Sequence, residues 1–281
     1  MIKIEIDVLK LREDLKEPFE TVSTSDGKTL FLREWTPSKA SNTAVLIFHG
    51  ITAYSAPYKM IGEALSKIGY AAYGLDLRGH GLSEGIRGDY SSKERLINDL
   101  GETISFLKEK HDNLIILGHS LGVLTALIAT NFYLNQINGL ILLSAARETR
   151  PGIYRKLSIL KKMKILFCSI IMPKKPIISY YRDGMTGLDD PLFNFKYTLR
   201  FMRIFDAKKL SFPEILDVPV ILGVGENDEI FTVESARSLF DEIPGNNKKF
   251  IVLPGAKHAE FPESSWNELI SWLISNFKLK S

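Results

Sequence analysis

Short, nearly continuous apolar runs in the first half of the chain constrain its fold more than any other feature. They cover residues 44–48, 70–75, 114–117 and 140–143. Runs of this kind are typical of strands that are buried on both faces of a parallel sheet. Helical periodicity fills the intervals between them, at residues 58–68, 92–110 and 121–134. Strand and helix therefore alternate, which predicts an α/β fold with a doubly wound, mostly parallel sheet.

The two ends of the chain extend this pattern. Alternating apolar and polar residues flank Asp26-Gly27, which predicts that the chain opens with an antiparallel hairpin over residues 19–35. Two further strand and helix units follow late in the chain. Their strands are predicted at 218–224 and 249–253, and their helices at 233–242 and 264–277.

Residues 147–212 interrupt the alternation and contain no convincing buried strand, so we interpret them as a helical insertion. The predicted core then comprises residues 1–146 and 213–281. The insertion carries 15 Lys and Arg against 5 Asp and Glu, whereas the rest of the chain carries 21 against 28. The net charge of +3 for the whole chain conceals a strongly basic insertion in an acidic core.

Composition and charge exclude several classes of protein. The chain has 281 residues, of which 45% are hydrophobic and 25% charged, and this is the globular range. A net charge of +3 is too small for a general nucleic-acid binder, so no nucleic-acid partner is expected. The single cysteine, Cys168, can form neither an internal disulfide nor a thiolate metal cluster. We therefore expect a reducing compartment, the cytoplasm.

No membrane-targeting feature is visible in the sequence. The first residues alternate charged and apolar side chains, where a secretory signal needs an apolar run. The apolar stretch at residues 165–172 is much shorter than the roughly 20 residues that cross a bilayer. We expect no transmembrane segment, and the oligomeric state stays open.

Gly118-His119-Ser120-Leu121-Gly122 is a G-x-S-x-G motif between a predicted strand and a predicted helix. This context indicates a sharp turn that exposes a serine Oγ at the top of a sheet and that requires small residues on both sides of it. Leu121 then lies at a helix N-terminus, where its amide can donate a hydrogen bond to an oxyanion. The motif predicts Ser120 as a nucleophile.

A serine hydroxyl needs a base and an orienting acid, and both follow in the later strand-end loops. His258 follows the last predicted strand and is the candidate base. Asp228 follows the preceding strand and is the candidate acid, with Glu226 and Glu229 as competitors. The carboxyl ends of parallel strands share one edge of a sheet, so these residues can meet there.

His49-Gly50-Ile51 follows the first parallel strand and offers the Ile51 amide as a second oxyanion donor. His49 and His119 are interpreted as structural histidines that brace loops, and His111 is expected in solvent. The histidines lack the spacing of a metal site, so no metal is expected.

The residues quoted so far, with the stretch Asp76-Leu-Arg-Gly-His-Gly-Leu-Ser-Glu-Gly85, resemble the α/β-hydrolase fold and its monoacylglycerol lipase and lysophospholipase-like branch. Tyr58, which follows His49-Gly50, is a further point of resemblance to that branch. The resemblance extends over residues 22–277 and is weak in the insertion. It implies the roles already assigned: Ser120 as nucleophile, Asp228 as acid, His258 as base, and the amides of Ile51 and Leu121 as oxyanion hole. It also implies that residues 147–212 form a lid over an acyl pocket.

The insertion contains an apolar helical stripe among basic residues. Its members are Ile153, Leu157, Leu160, Met163, Phe167, Ile170 and Ile171. From Arg150 to Lys175 there are eight basic residues and no acidic one. We expect the stripe to pack on the core over the pocket, with Cys168 buried in it. The alternative is transient contact of a basic amphipathic surface with lipid.

Together these features predict a serine hydrolase that cleaves carboxylic esters of lipid-like substrates through an acyl-enzyme, without metal or cofactor. A monoacylglycerol lipase, a lysophospholipase and a carboxylesterase all fit, with a small-molecule acyl ester as substrate. An amidase or aminopeptidase of the same fold is an alternative, although a basic insertion is unsuited to receiving a free amine. A non-catalytic ligand-binding protein is another. A long apolar tunnel ending near Ser120 would favour lipids, and a short polar cleft would favour soluble esters.

Overall fold

The computed structural model describes residues 7–153, 158–182 and 184–279. Eight of its strands form one sheet: β1 (Phe19–Ser23), β2 (Thr29–Trp35), β3 (Thr43–Phe48), β4 (Ala71–Leu75), β5 (Asn113–His119), β6 (Gly139–Leu143), β9 (Val220–Gly225) and β10 (Lys248–Leu253). Their spatial order is β1-β2-β4-β3-β5-β6-β9-β10. The pairs β1–β2 and β2–β4 are antiparallel, and every later pair is parallel. The predicted mostly parallel sheet with an antiparallel start is confirmed.

Helices pack on both faces of the sheet. The described helices are α1 (Val8–Glu13), α2 (Lys59–Lys67), α3 (Lys93–Lys108), α4 (Leu121–Tyr133), α5 (Ile159–Ile171), α6 (Leu199–Ile204), α7 (Val233–Asp241) and α8 (Asn267–Asn276), of which five cover the sheet. On one face, α3, α4 and α7 pack on strand residues such as Leu46 and Phe48. On the other face, α2 and α8 pack on their neighbours Val45 and Ile47. The strands are thus buried on both sides, as their continuous apolar runs require.

The start of the chain differs from the prediction, because helix α1 precedes the hairpin. Asp7 caps α1 by accepting a hydrogen bond from the backbone N–H of Lys10 at 3.1 Å. Arg12 turns inward from the helix and donates to the carbonyl oxygen of Leu82 at 2.8 Å. A six-residue helix is too short to show a periodic apolar pattern in the sequence.

The insertion contains α5, α6 and a short antiparallel pair, β7 (Ile178–Ser179) with β8 (Lys196–Tyr197). The prediction of a helical segment without a buried strand is therefore incomplete. Tyr197 of β8 is fully buried. A strand of two residues leaves no alternation that could be recognised from the sequence.

Helix α5 contradicts the expectation that its apolar stripe packs on the core, because none of its 13 residues is buried. Leu160 is 79% exposed, Phe167 65% and Ile170 72%. Cys168 is partly rather than fully buried. Leu157, which was assigned to the same stripe, lies outside the described residues. Helix α5 is therefore a basic amphipathic helix whose apolar face is exposed to solvent.

Across residues 7–153, 158–182 and 184–279, no helix combines the length and hydropathy needed to cross a bilayer. In the same part of the chain, no group of three or more His, Cys, Asp or Glu side chains is arranged to hold a metal ion.

Candidate active site

Ser120 stands on the sharp turn between β5 and α4. Its φ of 55° lies in the left-handed region, where a side chain other than glycine is rare. The turn depends on two close backbone approaches. A Cβ on Gly118 would lie 2.4 Å from the Gly122 carbonyl oxygen, and a Cβ on Gly122 would lie 2.0 Å from the Phe48 carbonyl oxygen. Glycine is therefore required at both positions by contact rather than by φ, and the turn presents the Ser120 side chain at the carboxyl edge of the sheet.

The structure brings Ser120, His258 and Asp228 into one hydrogen-bonded sequence. His258 Nε2 lies 3.0 Å from Ser120 Oγ. His258 Nδ1 lies 3.1 Å from Asp228 Oδ2 and 3.2 Å from Oδ1. Asp228 follows β9 and His258 follows β10, as the loops at one edge of a parallel sheet allow. With Nδ1 protonated and held by the carboxylate, Nε2 is free to accept the Ser120 proton.

Asp228 is fixed as an anion by its surroundings. The side chain is 1% exposed, and the amides of Ile230 and Phe231 donate to Oδ1 at 2.8 and 2.9 Å. Burial alone would raise the pKa of Asp228, but the hydrogen bond and charge of His258, together with these two amides, lower it below its ordinary value. The carboxylate therefore remains ionised while it orients the imidazole.

The two competitors for the acid bind backbone groups instead. Glu229 Oε2 accepts from the backbone N–H of His258 at 3.0 Å, and Glu229 Oε1 accepts from Arg182 at 3.0 Å. Glu226 accepts from the backbone N–H of Gly255 at 2.8 Å. Of the three acids, Asp228 is the one whose carboxylate meets the His258 ring.

The two expected oxyanion donors flank Ser120. Leu121 is the first residue of α4, so its amide is among those at the helix N-terminus that have no partner inside the helix. Ile51 lines the cavity that contains Ser120, and a Cβ on the preceding Gly50 would lie 3.5 Å from the Ser120 Cβ. The loop after β3 therefore comes close to the nucleophile.

The two histidines assigned to loop bracing are buried. His49 accepts from the Leu77 amide at 3.1 Å and donates from Nδ1 to the Gly50 carbonyl oxygen at 2.8 Å. Burial lowers the pKa of His49 to about 4 and that of His119 to about 3, so both are neutral near pH 7. His119 is the last residue of β5, and its ring centre lies 5.1 Å from that of His258.

His111 corrects a prediction, since it is 9% exposed rather than solvated. Its Nδ1 donates to the Ser41 carbonyl oxygen at 2.8 Å, and its Nε2 accepts from the Tyr73 hydroxyl at 3.0 Å. The charged neighbours Lys110 and Asp112 conceal this burial in the sequence.

Two residues from the insertion hold the loop that follows β3, residues 49–52, which is the expected oxyanion loop. Neither was identified from the sequence. The Tyr197 hydroxyl contacts the carbonyl oxygens of Ile51 and Asn194. The Asn194 amide donates to the Thr52 carbonyl oxygen at 2.9 Å, and its side chain donates to the Gly79 carbonyl oxygen at 2.7 Å. An asparagine followed three residues later by a tyrosine is not a recognisable sequence motif. Their contacts join segments that are far apart in the chain, so the sequence alone does not reveal them.

A cavity of about 550 Å³ surrounds Ser120 and His258. Its wall is largely apolar and has two sources. The insertion contributes Tyr180, Met185 and Phe193, and the core contributes Ile61, Leu143 and Trp266, among others. The described charged side chains on the wall are Arg182, Lys257 and Glu260. The site is therefore a partly open, mostly apolar space around a hydrogen-bonded serine.

The family described as serine aminopeptidase, S33, matches residues 39–265. The chain belongs to this family of α/β-hydrolases. Its sheet, its serine turn and its strand-end loops agree with the monoacylglycerol lipase-like resemblance in the sequence, which is confirmed.

Curated relatives carry the same likeness at low identity. Monoglyceride lipase of Rattus norvegicus is 23% identical over 273 residues, which cover 89% of this chain and 88% of the relative. Monoacylglycerol lipase of Mycolicibacterium smegmatis is 22% identical over 260 residues, covering 86% of this chain and 91% of the relative. Among solved structures, the monoacylglycerol lipase of Paleococcus ferrophilus is 27% identical with a TM-score of 0.64, over 88% of this chain and 99% of that one. The likeness supports an ester-hydrolysing α/β-hydrolase.

Proposed function

We propose that this protein is a serine hydrolase that cleaves carboxylic esters of lipid-like substrates, monoacylglycerols first among them, through an acyl-enzyme. The observation that carries the proposal is the unbroken hydrogen-bonded sequence from Ser120 through His258 to Asp228 inside an apolar cavity. Each group stands where acyl transfer requires a nucleophile, a base and an orienting acid.

Acylation begins when Ser120 Oγ attacks the ester carbonyl carbon and His258 Nε2 takes the hydroxyl proton. The negative charge that develops on the carbonyl oxygen accepts hydrogen bonds from the Ile51 and Leu121 amides. The ester C–O bond then breaks, and the alcohol leaves with the proton that His258 returns. Asp228 remains ionised throughout and stabilises the imidazolium.

Deacylation repeats these steps with water. His258 takes a proton from a water molecule, which attacks the acyl carbon of the Ser120 ester. The tetrahedral intermediate collapses, the Ser120 oxygen regains its proton from His258, and the carboxylic acid is released. The chain's own side chains and amides supply every group in this cycle.

The cavity supports a lipid-like substrate. A space of about 550 Å³ with a largely apolar wall suits an acyl chain better than a short soluble ester. The relatives from Rattus norvegicus and Mycolicibacterium smegmatis are named as lipases of the same substrate class. Lysophospholipids share the single acyl chain and are the second substrate class to test.

An amidase or aminopeptidase is the competing activity. An aminopeptidase needs a carboxylate at the cavity to receive the free amine of its substrate. Glu260 on the cavity wall forms an ion pair with Lys257 at 2.8 Å, and Glu229, which accepts from the His258 backbone N–H, forms one with Arg182 at 3.0 Å. Both carboxylates are thus already paired with basic side chains, which favours the ester.

In this proposal the insertion, residues 147–212, acts as a lid. Tyr180, Met185 and Phe193 from the insertion complete the cavity wall, so its movement would open or close access to Ser120. Residues 1–146 and 213–281 then form the catalytic core.

Helix α5 is proposed as the surface by which the lid meets a lipid interface. Its apolar side chains project into solvent, and Lys161, Lys162 and Lys164 lie among them. Apolar side chains can enter the acyl boundary while the lysines meet anionic head groups. A substrate that resides in membranes or micelles would then be taken from the interface.

The proposed activity is tested with Ser120→Ala on a short p-nitrophenyl ester. Loss of at least about 10³-fold in kcat is expected, because the oxyanion donors alone leave little catalysis. Ser144→Ala is the matched control, since Ser144 likewise directly follows a strand of the sheet and has a positive φ of 52°. Turnover of Ser120→Ala at the level of Ser144→Ala would overturn the proposal.

Substrate class is tested by comparing monoacylglycerols, lysophospholipids and amino-acyl p-nitroanilides on the wild-type protein. The proposal predicts that kcat/KM is highest for the monoacylglycerols. A higher kcat/KM for the p-nitroanilide would replace the esterase with an aminopeptidase. Failure of a fluorophosphonate to label Ser120, together with tight binding of a small acyl ligand, would indicate a ligand-binding protein.

The lipid contact is tested by sedimentation with vesicles that contain anionic or only zwitterionic lipids. Phe167→Ser and Leu160→Ser are expected to weaken binding to anionic vesicles while leaving hydrolysis of a short soluble ester unchanged. Ile215→Ser is the control, because Ile215 is 68% exposed outside α5. Equal vesicle binding by all three variants would show that α5 does not contact the lipid.

A further inference from the structure

A chain of hydrogen bonds runs behind Ser120 and joins the two loops on which the proposed chemistry depends. The Gly50 N–H donates to the Tyr58 hydroxyl oxygen at 2.9 Å. The Tyr58 oxygen lies 2.7 Å from His119 Nδ1, and His119 Nε2 lies 2.8 Å from the His258 carbonyl oxygen. One end of the chain is thus in the oxyanion loop, and the other end is at the residue that carries the base.

Each proton in this chain of hydrogen bonds has only one position that satisfies all the partners. A carbonyl oxygen can only accept, so His119 must carry its proton on Nε2 to bond His258. Burial lowers the pKa of His119 to about 3, so the ring is neutral and Nδ1 holds a lone pair. The Tyr58 hydroxyl must then donate to Nδ1, and its oxygen accepts from Gly50. Since no alternative orientation satisfies all three bonds, the chain is rigid.

This chain of hydrogen bonds lies where it can position both the expected oxyanion donor and the base. Gly50 immediately precedes Ile51, whose amide is the proposed oxyanion donor, and the Gly50 N–H bond fixes the peptide before it. At the other end, the chain holds the main chain of His258, whose ring bonds Ser120 at 3.0 Å. The distance from oxyanion donor to base is therefore spanned by two side chains as well as by the sheet.

We propose that Tyr58 and His119 are positioning residues that hold the oxyanion loop and the His258 main chain at the separation that acyl transfer requires. The proposal rests on the serine-hydrolase function proposed above. Neither residue exchanges a proton with the substrate in this role. They act through Gly50 and His258, so their loss lowers transition-state stabilisation more than substrate binding.

Tyr73 and His111 form a similar hydrogen-bonded pair elsewhere in the protein, and this pair does not contact the site. The Tyr73 hydroxyl donates to His111 Nε2 at 3.0 Å, and His111 Nδ1 donates to the Ser41 carbonyl oxygen at 2.8 Å. The same tyrosine, histidine and carbonyl groups are present, but Ser41 precedes β3 and His111 precedes β5, at the amino edge of the sheet and away from the serine turn. Tyr73→Phe therefore removes an equivalent hydrogen bond from the fold without touching the site.

The kinetic test compares Tyr58→Phe, His119→Leu and His119→Gln with Tyr73→Phe on a soluble ester. Tyr58→Phe and His119→Leu are expected to lose about 10- to 100-fold in kcat with little change in KM. Affinity for an alkyl boronic acid, which forms a tetrahedral adduct, should fall in parallel. His119→Gln keeps one donor and one acceptor and should retain more kcat than His119→Leu. Tyr73→Phe should keep wild-type kcat even if its melting temperature falls.

The second test does not depend on turnover. Long-range ¹H–¹⁵N NMR of the imidazoles should show His119 as the neutral Nε2–H tautomer in the wild-type protein, and this signature should weaken in Tyr58→Phe. A His119 protonated on Nδ1, or equal kcat in Tyr58→Phe and Tyr73→Phe, would overturn the positioning role. Failure of the proposed function is a separate result, because it would appear as an inactive wild-type protein with the His119 tautomer unchanged.

Discussion

The Tyr197 hydroxyl donates a hydrogen bond to the carbonyl oxygen of Ile51. Through this contact, the segment that returns from the insertion to the core holds the loop that carries the proposed oxyanion donor. Asn194 reinforces it with hydrogen bonds to the carbonyl oxygens of Thr52 and Gly79. The insertion is thus joined to the oxyanion loop by buried polar contacts, in contrast to its exposed helix α5.

Tyr197→Phe is expected to lower kcat by about tenfold, because the Ile51 peptide loses a partner that orients its amide. The free energy of unfolding should fall by about 1 kcal/mol, as for an ordinary buried hydrogen bond. Tyr133→Phe is the control, since the Tyr133 hydroxyl donates to the Ile97 carbonyl oxygen at 3.0 Å on α3. If both variants lose stability and neither loses kcat, Tyr197 serves the fold alone.

Asp228→Asn is expected to lower kcat by about 10⁴-fold, because an amide stabilises neither the required His258 tautomer nor the imidazolium. Glu229→Gln should lower kcat much less, since an amide oxygen can still accept the His258 N–H bond. Steady-state kinetics of both variants on a p-nitrophenyl ester check the assignment.

Glu226→Gln is the second control for the acid, because Glu226 bonds the Gly255 amide rather than the His258 ring. We expect it to stay within a few-fold of wild-type kcat. A larger loss in Glu229→Gln than in Asp228→Asn would transfer the role of acid to Glu229.

Much of the fold could be predicted because its signals are local. The strands buried on both faces appear as apolar runs, and the turn at Ser120 is written in Gly118 and Gly122 with the flanking strand and helix. The meeting of Ser120, Asp228 and His258 at one edge follows from the geometry of a parallel sheet, whose strand-end loops share that edge. These features depend on residues within one or two elements.

The remaining features depend on contacts between distant segments. Tyr197 and Asn194 act on a loop some 140 residues earlier in the chain, so no spacing rule reveals them. The sequence of α5 predicts packing on the core, because an apolar stripe usually packs against a neighbour. Its sequence contains the amphipathic pattern but no information on whether a partner surface exists, and in the fold the stripe faces solvent.

Gly122→Ala is expected to destabilise the protein by about 3 kcal/mol or more, because its Cβ would overlap the Phe48 carbonyl oxygen at 2.0 Å and strand β3 cannot shift alone. Gly184→Ala is the control, since the space around Gly184 is open and only its φ of 75° opposes a side chain. That cost is about 1 kcal/mol. Thermal unfolding of both variants measures the difference, and equal melting temperatures would show that the turn can relax.

Buried neutral histidines make the fold sensitive to mild acid. The pKa values of His49 and His119 are lowered by burial to about 4 and about 3, and burial also lowers those of His80 and His111. In the unfolded chain, a histidine has a pKa near 6.5. Below that pH the unfolded chain binds protons that the folded chain does not, so stability is complete above about pH 6.5 and falls as the pH drops.

His119→Gln is expected to reduce this acid sensitivity, because glutamine does not titrate. Between about pH 6 and pH 4.5, a histidine whose folded-state pKa is lowered to about 3, as that of His119 is, removes up to about 1.4 kcal/mol from the free energy of unfolding per pH unit. Urea unfolding at pH 7.5, 6.0, 5.0 and 4.5 should therefore show a steeper loss for the wild-type protein than for His119→Gln. The variant starts less stable at pH 7.5, and the gap should narrow as the pH falls. Parallel curves would mean that His119 accepts a proton in the folded state at the same pH as in the unfolded chain, and that its ring is not held neutral.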